Sequence, residues 1–207
     1  VECGDDAFHA ETALKIEDGT LDIARCNEGL EGESVTISGG EINIVSYDDG
    51  INAASSEETT ETNNQKENLF EVNTANEIRI EGGNIYINAE GDGIDSNGSI
   101  IIIGGTIEVD GSENGGNGAL DYDGSFEISG GSVIAVGASN MAQGISDSSS
   151  VYGIMMTCDT QISNNIPVVL EDEQGELLRY TPAKKYNSVV IADAALEKGK
   201  SYTLKIG

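Results

Sequence analysis

Apolar residues in this chain recur in short runs of period two, and the runs themselves repeat. Breaks at Asp18-Gly19, Gly39-Gly40, Gly82-Gly83, Gly104-Gly105 and Gly130-Gly131 divide them. Two apolar positions precede each break: Leu14 and Ile16, Val35 and Ile37, Ile78 and Ile80, Ile100 and Ile102, Phe126 and Ile128. Two more follow it: Leu21 and Ile23, Ile42 and Ile44, Ile85 and Ile87, Ile107 and Val109, Val133 and Ala135. A fifth column opens each unit at Phe8, Leu30, Ile51, Ile94 and Leu120, with Ile145 continuing it. Alternation of this kind predicts short strands with one buried face. Successive breaks lie 21 to 26 residues apart, save one interval of 43 that holds a polar insertion at 55–76.

A unit this short cannot bury its own apolar face, but a stack of them can. Parallel strands lie about 4.8 Å apart, so equivalent isoleucines form ladders inside the stack. The expected fold is all-β: a right-handed parallel β-helix of about six coils over 1–150. A β-sandwich competes, but predicts less regular repeats and no aligned glycine columns. The tail, 151–207, holds most of the basic residues, both prolines and a Gln174-Gly175 turn between apolar runs. It reads as a small C-terminal antiparallel β cap, which would cover an otherwise open strand edge.

Charge narrows the partners. The chain has 207 residues, with 37 Asp and Glu against 10 Lys and Arg, a formal net charge of −27. No basic footprint exists for nucleic acid or an anionic membrane surface. No apolar run approaches the ~20 residues of a membrane span, so no membrane insertion is expected. No signal-peptide pattern is visible at Val1, as in a processed or trimmed chain. Three cysteines give no zinc spacing; a Cys3–Cys26 bridge is open.

The acids are not scattered. Directly after the opening apolar column come His9, Glu31, Asn52, Asp95 and Asp121. Two before it come Asp6, Glu28, Asp49 and Asp92, preceded in turn by Asp5, Asn27 and Asp48. Stacking places these carboxylates about 5 Å apart, where they repel. A bound cation resolves the conflict, and an all-oxygen set of irregular shape suits calcium, Ca2+. Three sites are expected between coils: Asp5, Asp6, Glu28 and Glu31; Glu28, Asp48, Asp49 and Asn52; Asp92 and Asp95 with Asn52, Asp121 and Asp123. Gly93 is expected to let the chain twist between Asp92 and Ile94. Asp and Asn also shape turns without metal. His9 reads as a polar surface residue rather than a ligand.

The repeat in "YDDGINA", "GDGIDSNGSIIIIGGTIEV" and "VTISGGEINI" resembles a secreted bacterial family, with clostridial members, of carbohydrate-binding β-helices first named as a domain of unknown function. The resemblance extends over nearly the whole chain. That family is similar to the family 9 pectate lyases, which hold calcium with stacked aspartates. The resemblance implies an extracellular or cell-surface binder of plant cell-wall polysaccharide, namely cellulose and acidic pectic sugars such as polygalacturonate.

Binder and enzyme make different demands. A pectate lyase needs a base near its metal, commonly Lys or Arg by family resemblance. The coils hold only Lys15, Arg25, Lys66 and Arg79, none an obvious base beside the acidic column. A hydrolase would need two carboxylates at a set separation, and Asp121 with Asp123 is the best pair. The expectation is a non-catalytic binder, with a calcium-dependent lyase and a calcium-stiffened spacer or adhesion module as alternatives. Direct contact with a polyanion would be repulsive, so uronate binding should run through calcium. For a neutral glycan, Tyr86 stands in an outward column with Asp22, Asn43, Glu108 and Ile134, while Tyr47 and Tyr122 flank the acidic edge. Each tyrosine can equally be ordinary packing.

Overall fold

The computed structural model describes residues 1–55 and 72–207. Eighteen strands and no helix form among them: β1 (Phe8–Ile16), β2 (Thr20–Cys26), β3 (Leu30–Ile37), β4 (Glu41–Ser46), β5 (Ile51–Ala53), β6 (Glu77–Ile80), β7 (Asn84–Ala89), β8 (Ile94–Ser96), β9 (Ser99–Ile102), β10 (Thr106–Asp110), β11 (Leu120–Tyr122), β12 (Phe126–Ile128), β13 (Ser132–Gly137), β14 (Tyr152–Ile162), β15 (Val168–Asp172), β16 (Gly175–Tyr180), β17 (Tyr186–Asp193) and β18 (Thr203–Ile206). The first thirteen wind into a parallel β-solenoid of about five turns. Windings three to five use three strands each, as the repeat predicts. In windings one and two the first pair is fused into the single strands β1 and β3, and β3 pairs with both β5 and β6.

The apolar columns stack inside. Ile23, Ile44, Ile87, Val109 and Ala135 are all buried, as are Leu30, Ile51, Ile94 and Leu120. Two glycine columns make this stacking possible. Gly19, Gly40, Gly83, Gly105 and Gly131 all take positive φ, between 84° and 114°, where other residues are strained. Gly29, Gly50 and Gly93 have ordinary φ but no room: a Cβ on Gly93 would sit 2.2 Å from Val109 Cγ1 and 2.4 Å from the Ala119 carbonyl. Close approach of backbones, not the expected twist beside Asp92, therefore requires Gly93.

The expected sixth coil does not form as strands. Between 138 and 150 the chain lacks apolar alternation, and its side chains stand in for the missing strand. Gln143 Oε1 accepts the Tyr122 amide at 3.2 Å, Ser146 Oγ the Phe126 amide at 2.9 Å and Ser149 Oγ the Ile128 amide at 3.1 Å. Such side-chain acceptors compete directly with ladder carbonyls. Ile145 still packs against the core.

The tail is antiparallel. β17 closes the edge of β13, β14 pairs with β17, and β15, β16 and β18 make a separate three-stranded sheet. Two of its strands thus extend the main sheet instead of merely lying over it. The insertion 55–76 is described only at its feet, where Asn76 Nδ2 donates to the Glu33 carbonyl at 2.9 Å and Asn73 Nδ2 to Ser55 Oγ at 2.8 Å; Lys66 lies outside the described residues. Cys3, Cys26 and Cys158 are free thiols.

Candidate functional site

The acidic column is a true ladder. His9, Glu31, Asn52, Asp95 and Asp121 pair Cα to Cα across β1, β3, β5, β8 and β11. Just before the same strands, Asp6, Asp49 and Asp92 each accept, through Oδ1, a backbone amide of the next winding: Glu28 at 3.3 Å, Asp92 at 2.7 Å, and Gly118. Glu28 instead accepts Asn52 Nδ2 at 3.1 Å.

Two groups of side chains converge so that their ligand atoms lie within 4.8 Å of one another: Asp6, His9 and Glu31, and Asp49, Asp92 and Asp95. The groupings differ from those expected. His9, an exposed residue, reaches the group through a hydrogen bond from Nδ1 to Glu31 Oε2, a contact that raises its pKa. Asp49 joins Asp92 and Asp95 because its carboxyl is turned toward the next winding by the Asp92 amide. Asp5 and Asp48 are exposed and join neither group; Asp121 is held by Gln143 Nε2 at 3.0 Å, with Asp123 half-buried beside it.

The second group has no internal cation. Burial, and then the neighbouring acids, push Asp95 up to about 8. Burial likewise lifts Asp49 to about 7 and Asp92 to about 6, against the pull of the amides they accept. Glu28, lifted by burial to about 7, adds to the same strip. Asn52 is 9% exposed and its Oδ1 has no hydrogen-bond partner. A buried acceptor without a donor, in register with Asp95, fits a cation better than a turn. The donors are all oxygen, the set that a hard divalent ion takes.

A second feature lies on another sheet. The outward residues of β2, β4, β7 and β10 line a trough of about 640 Å³. One column is Asp22, Asn43, Tyr86 and Glu108; the next is Thr20, Glu41, Asn84 and Thr106. The second column was not singled out from sequence, although it is the outward position two residues earlier in every one of these strands. Amide groups are braced across windings, Asn43 Nδ2 on Asp22 Oδ1 and Asn84 Nδ2 on Glu41 Oε1, both at 2.6 Å.

The three tyrosines separate. Tyr86 sits in the trough, half-buried, its hydroxyl donating to Asp110 Oδ2 at 2.8 Å. Tyr47 is 60% exposed, with the Arg25 guanidinium 5.3 Å from its ring centroid. Tyr122 is locked by its hydroxyl on the Gly144 carbonyl at 2.6 Å and by edge contact with Phe126. Lys15 pairs with Glu17 at 3.4 Å and Arg79 with Glu81 at 3.0 Å, so these two cations of the windings are engaged away from the acidic ladder.

A family model described as carbohydrate-binding domain-containing protein matches residues 4–171. The chain belongs to this family. The match takes in all five windings of the carbohydrate-binding domain, both the ladder and the trough, and runs into β15. Neither the curated proteins nor the solved structures compared with the chain gave a match.

Proposed function

We propose that this carbohydrate-binding domain is a non-catalytic module for cellulose and acidic pectic polysaccharide, stiffened by calcium on its acidic ladder. Its expected place is outside the cell, secreted or at the cell surface, where plant cell-wall glycan is met. The observation that carries the calcium reading is the Asp49–Asp92–Asp95 convergence beside the orphaned Asn52 Oδ1. A calcium ion takes about 6–8 oxygens from carboxylates, amides and carbonyls, and those residues, with Glu28 nearby, are of that kind. When bound, the ion supplies the positive charge that lets all three aspartates stay ionised at neutral pH. The pairing of Lys15 and Arg79 with glutamates supports a binding rather than a lyase role.

Retention on insoluble cellulose and on gelled polygalacturonate, each with calcium and with a chelator, tests the reading. Both should retain the domain in calcium, and polygalacturonate should lose it in the chelator. Retention by neither glycan refutes the binding role; release of unsaturated uronates refutes the non-catalytic one.

A further inference from the structure

We propose that the trough over β2, β4, β7 and β10 seats a neutral, hydroxyl-rich glycan lying along the stacking axis, one sugar to each winding. The inference rests on the polysaccharide-binding reading above and adds the place, direction and charge of the ligand.

Direction follows from the register. Neighbouring windings repeat about every 4.8 Å, close to the advance of one pyranose in an extended chain. Across that spacing the trough offers the same two outward positions four times, in Cα alignment. A polymer of repeating units therefore meets one pair of outward positions per sugar, each with its own side chains, only if it runs parallel to the axis.

Chemistry follows from the side chains. Asp22, Glu41 and Glu108 are carboxylates, and no Lys or Arg lines the trough. A uronate chain would be repelled there. A neutral sugar would instead donate its hydroxyls to these carboxylates in charge-assisted hydrogen bonds. The Asn43 and Asn84 amides are already oriented by Asp22 and Glu41, so little side-chain freedom is lost on binding. The half-buried Tyr86 ring supplies apolar surface for a sugar face, over a floor formed by the core residues Ile42 and Ile85.

Length follows from the ends. The next residue of the column after Glu108 is Ile134, 3% exposed and packed with Val168, Leu170 and Tyr186 of the tail. The tail thus shuts the trough after β10, leaving four windings. A neighbouring hollow of about 530 Å³ over the glycine bends shares Thr20, Glu41 and Asn84, and gives room for the chain's width.

The test is titration calorimetry of the whole domain with cellobiose through cellohexaose, in a chelator. Affinity should climb with each added glucose up to cellotetraose and then level off. Asn43→Ala and Asn84→Ala, both at the surface, should each weaken cellotetraose about fivefold, the loss of roughly one hydrogen bond. Thermal melts should fall by no more than about 4 °C, the loss of one surface hydrogen bond between windings in each variant. Wild-type affinity in both variants would overturn this site while leaving the domain a cellulose binder. Binding of polygalacturonate in calcium without any binding of the cello-oligosaccharides would overturn the neutral-ligand assignment but keep the polysaccharide-binding reading. Failure to bind any glycan would sink both.

Discussion

Asp95→Asn separates a cation site from a turn. Asn is already accepted at this position of the ladder, since Asn52 occupies it one winding earlier. The substitution keeps the shape and removes the charge. In chelator at pH 7 the wild-type domain carries the cost of keeping that carboxyl protonated. The Asp95 carboxyl is pushed up to about 8 from the ordinary 3.8, burial first and then the charges of Asp49, Asp92, Asp121 and Asp123. Linkage converts this at pH 7 to about 4 kcal/mol, at about 1.4 kcal/mol per pH unit between 3.8 and 7. Partial exposure and sharing of the charge among neighbours reduce the figure to about 2–4 kcal/mol. In chelator at pH 7, Asp95→Asn should therefore melt about 5–10 °C above wild type. Calcium reverses the order. An ion at about one hundred times its Kd adds about 2.7 kcal/mol to the wild type, and the variant, short of one ligand, gains much less. Differential scanning calorimetry with and without calcium reads both effects. Equal calcium shifts in the two proteins, with the variant less stable in chelator, would mean that Asp95 only shapes a turn.

Three further outcomes follow from the same geometry. Because the ladder acids bind protons more tightly folded than unfolded, their contribution is fully present below about pH 4 and is lost progressively from there until pH passes their folded values of about 6 to 8; melts in chelator should fall between about pH 4 and 8, and calcium should flatten the slope. Gly50→Ala would force a Cβ to 2.3 Å from Ile87 Cγ2 and 2.5 Å from the Gly93 carbonyl, and should cost about 1–3 kcal/mol in urea denaturation, whereas Gly116→Ala, with nothing within 4 Å, should be near neutral. Asp110 is fully buried and accepts both the Tyr86 hydroxyl and the Ala183 amide, so Asp110→Ala should cost about 2–4 kcal/mol and speed proteolysis near 183.

The windings were legible because period two and the glycine breaks are local signals that recur. The ladder His9, Glu31, Asn52, Asp95 and Asp121 follows once equivalent positions are stacked. Which acids meet was not legible, because that depends on where each side chain is steered by a backbone amide or, for His9, by the reach of its ring. The end of the stack hid for a different reason. Gln143, Ser146 and Ser149 read as loop residues, and only the exposed amides of β11 and β12 turn them into a substitute strand. The Tyr86–Asp110–Ala183 link hid because its last partner is 73 residues along the chain.

Ladder and trough meet in the third and fourth windings. Asp49 leads into β5 of the third, while Asp92 and Asp95 flank the entry to β8 of the fourth, so an ion held by all three ties those windings together. The third is also the winding interrupted by the insertion, where the chain must leave β5 and return to β6 in register. Asn84 and Tyr86 of the trough lie in that winding; Thr106 and Glu108 lie in the next. A cation on the ladder would therefore act on the trough through alignment, without touching a sugar. Calcium dependence then differs by ligand. For a neutral chain it should follow the folded fraction and vanish at temperatures where the calcium-free domain is fully folded. For a uronate polymer it should persist there, because the ion itself would be the contact between two sets of carboxylates.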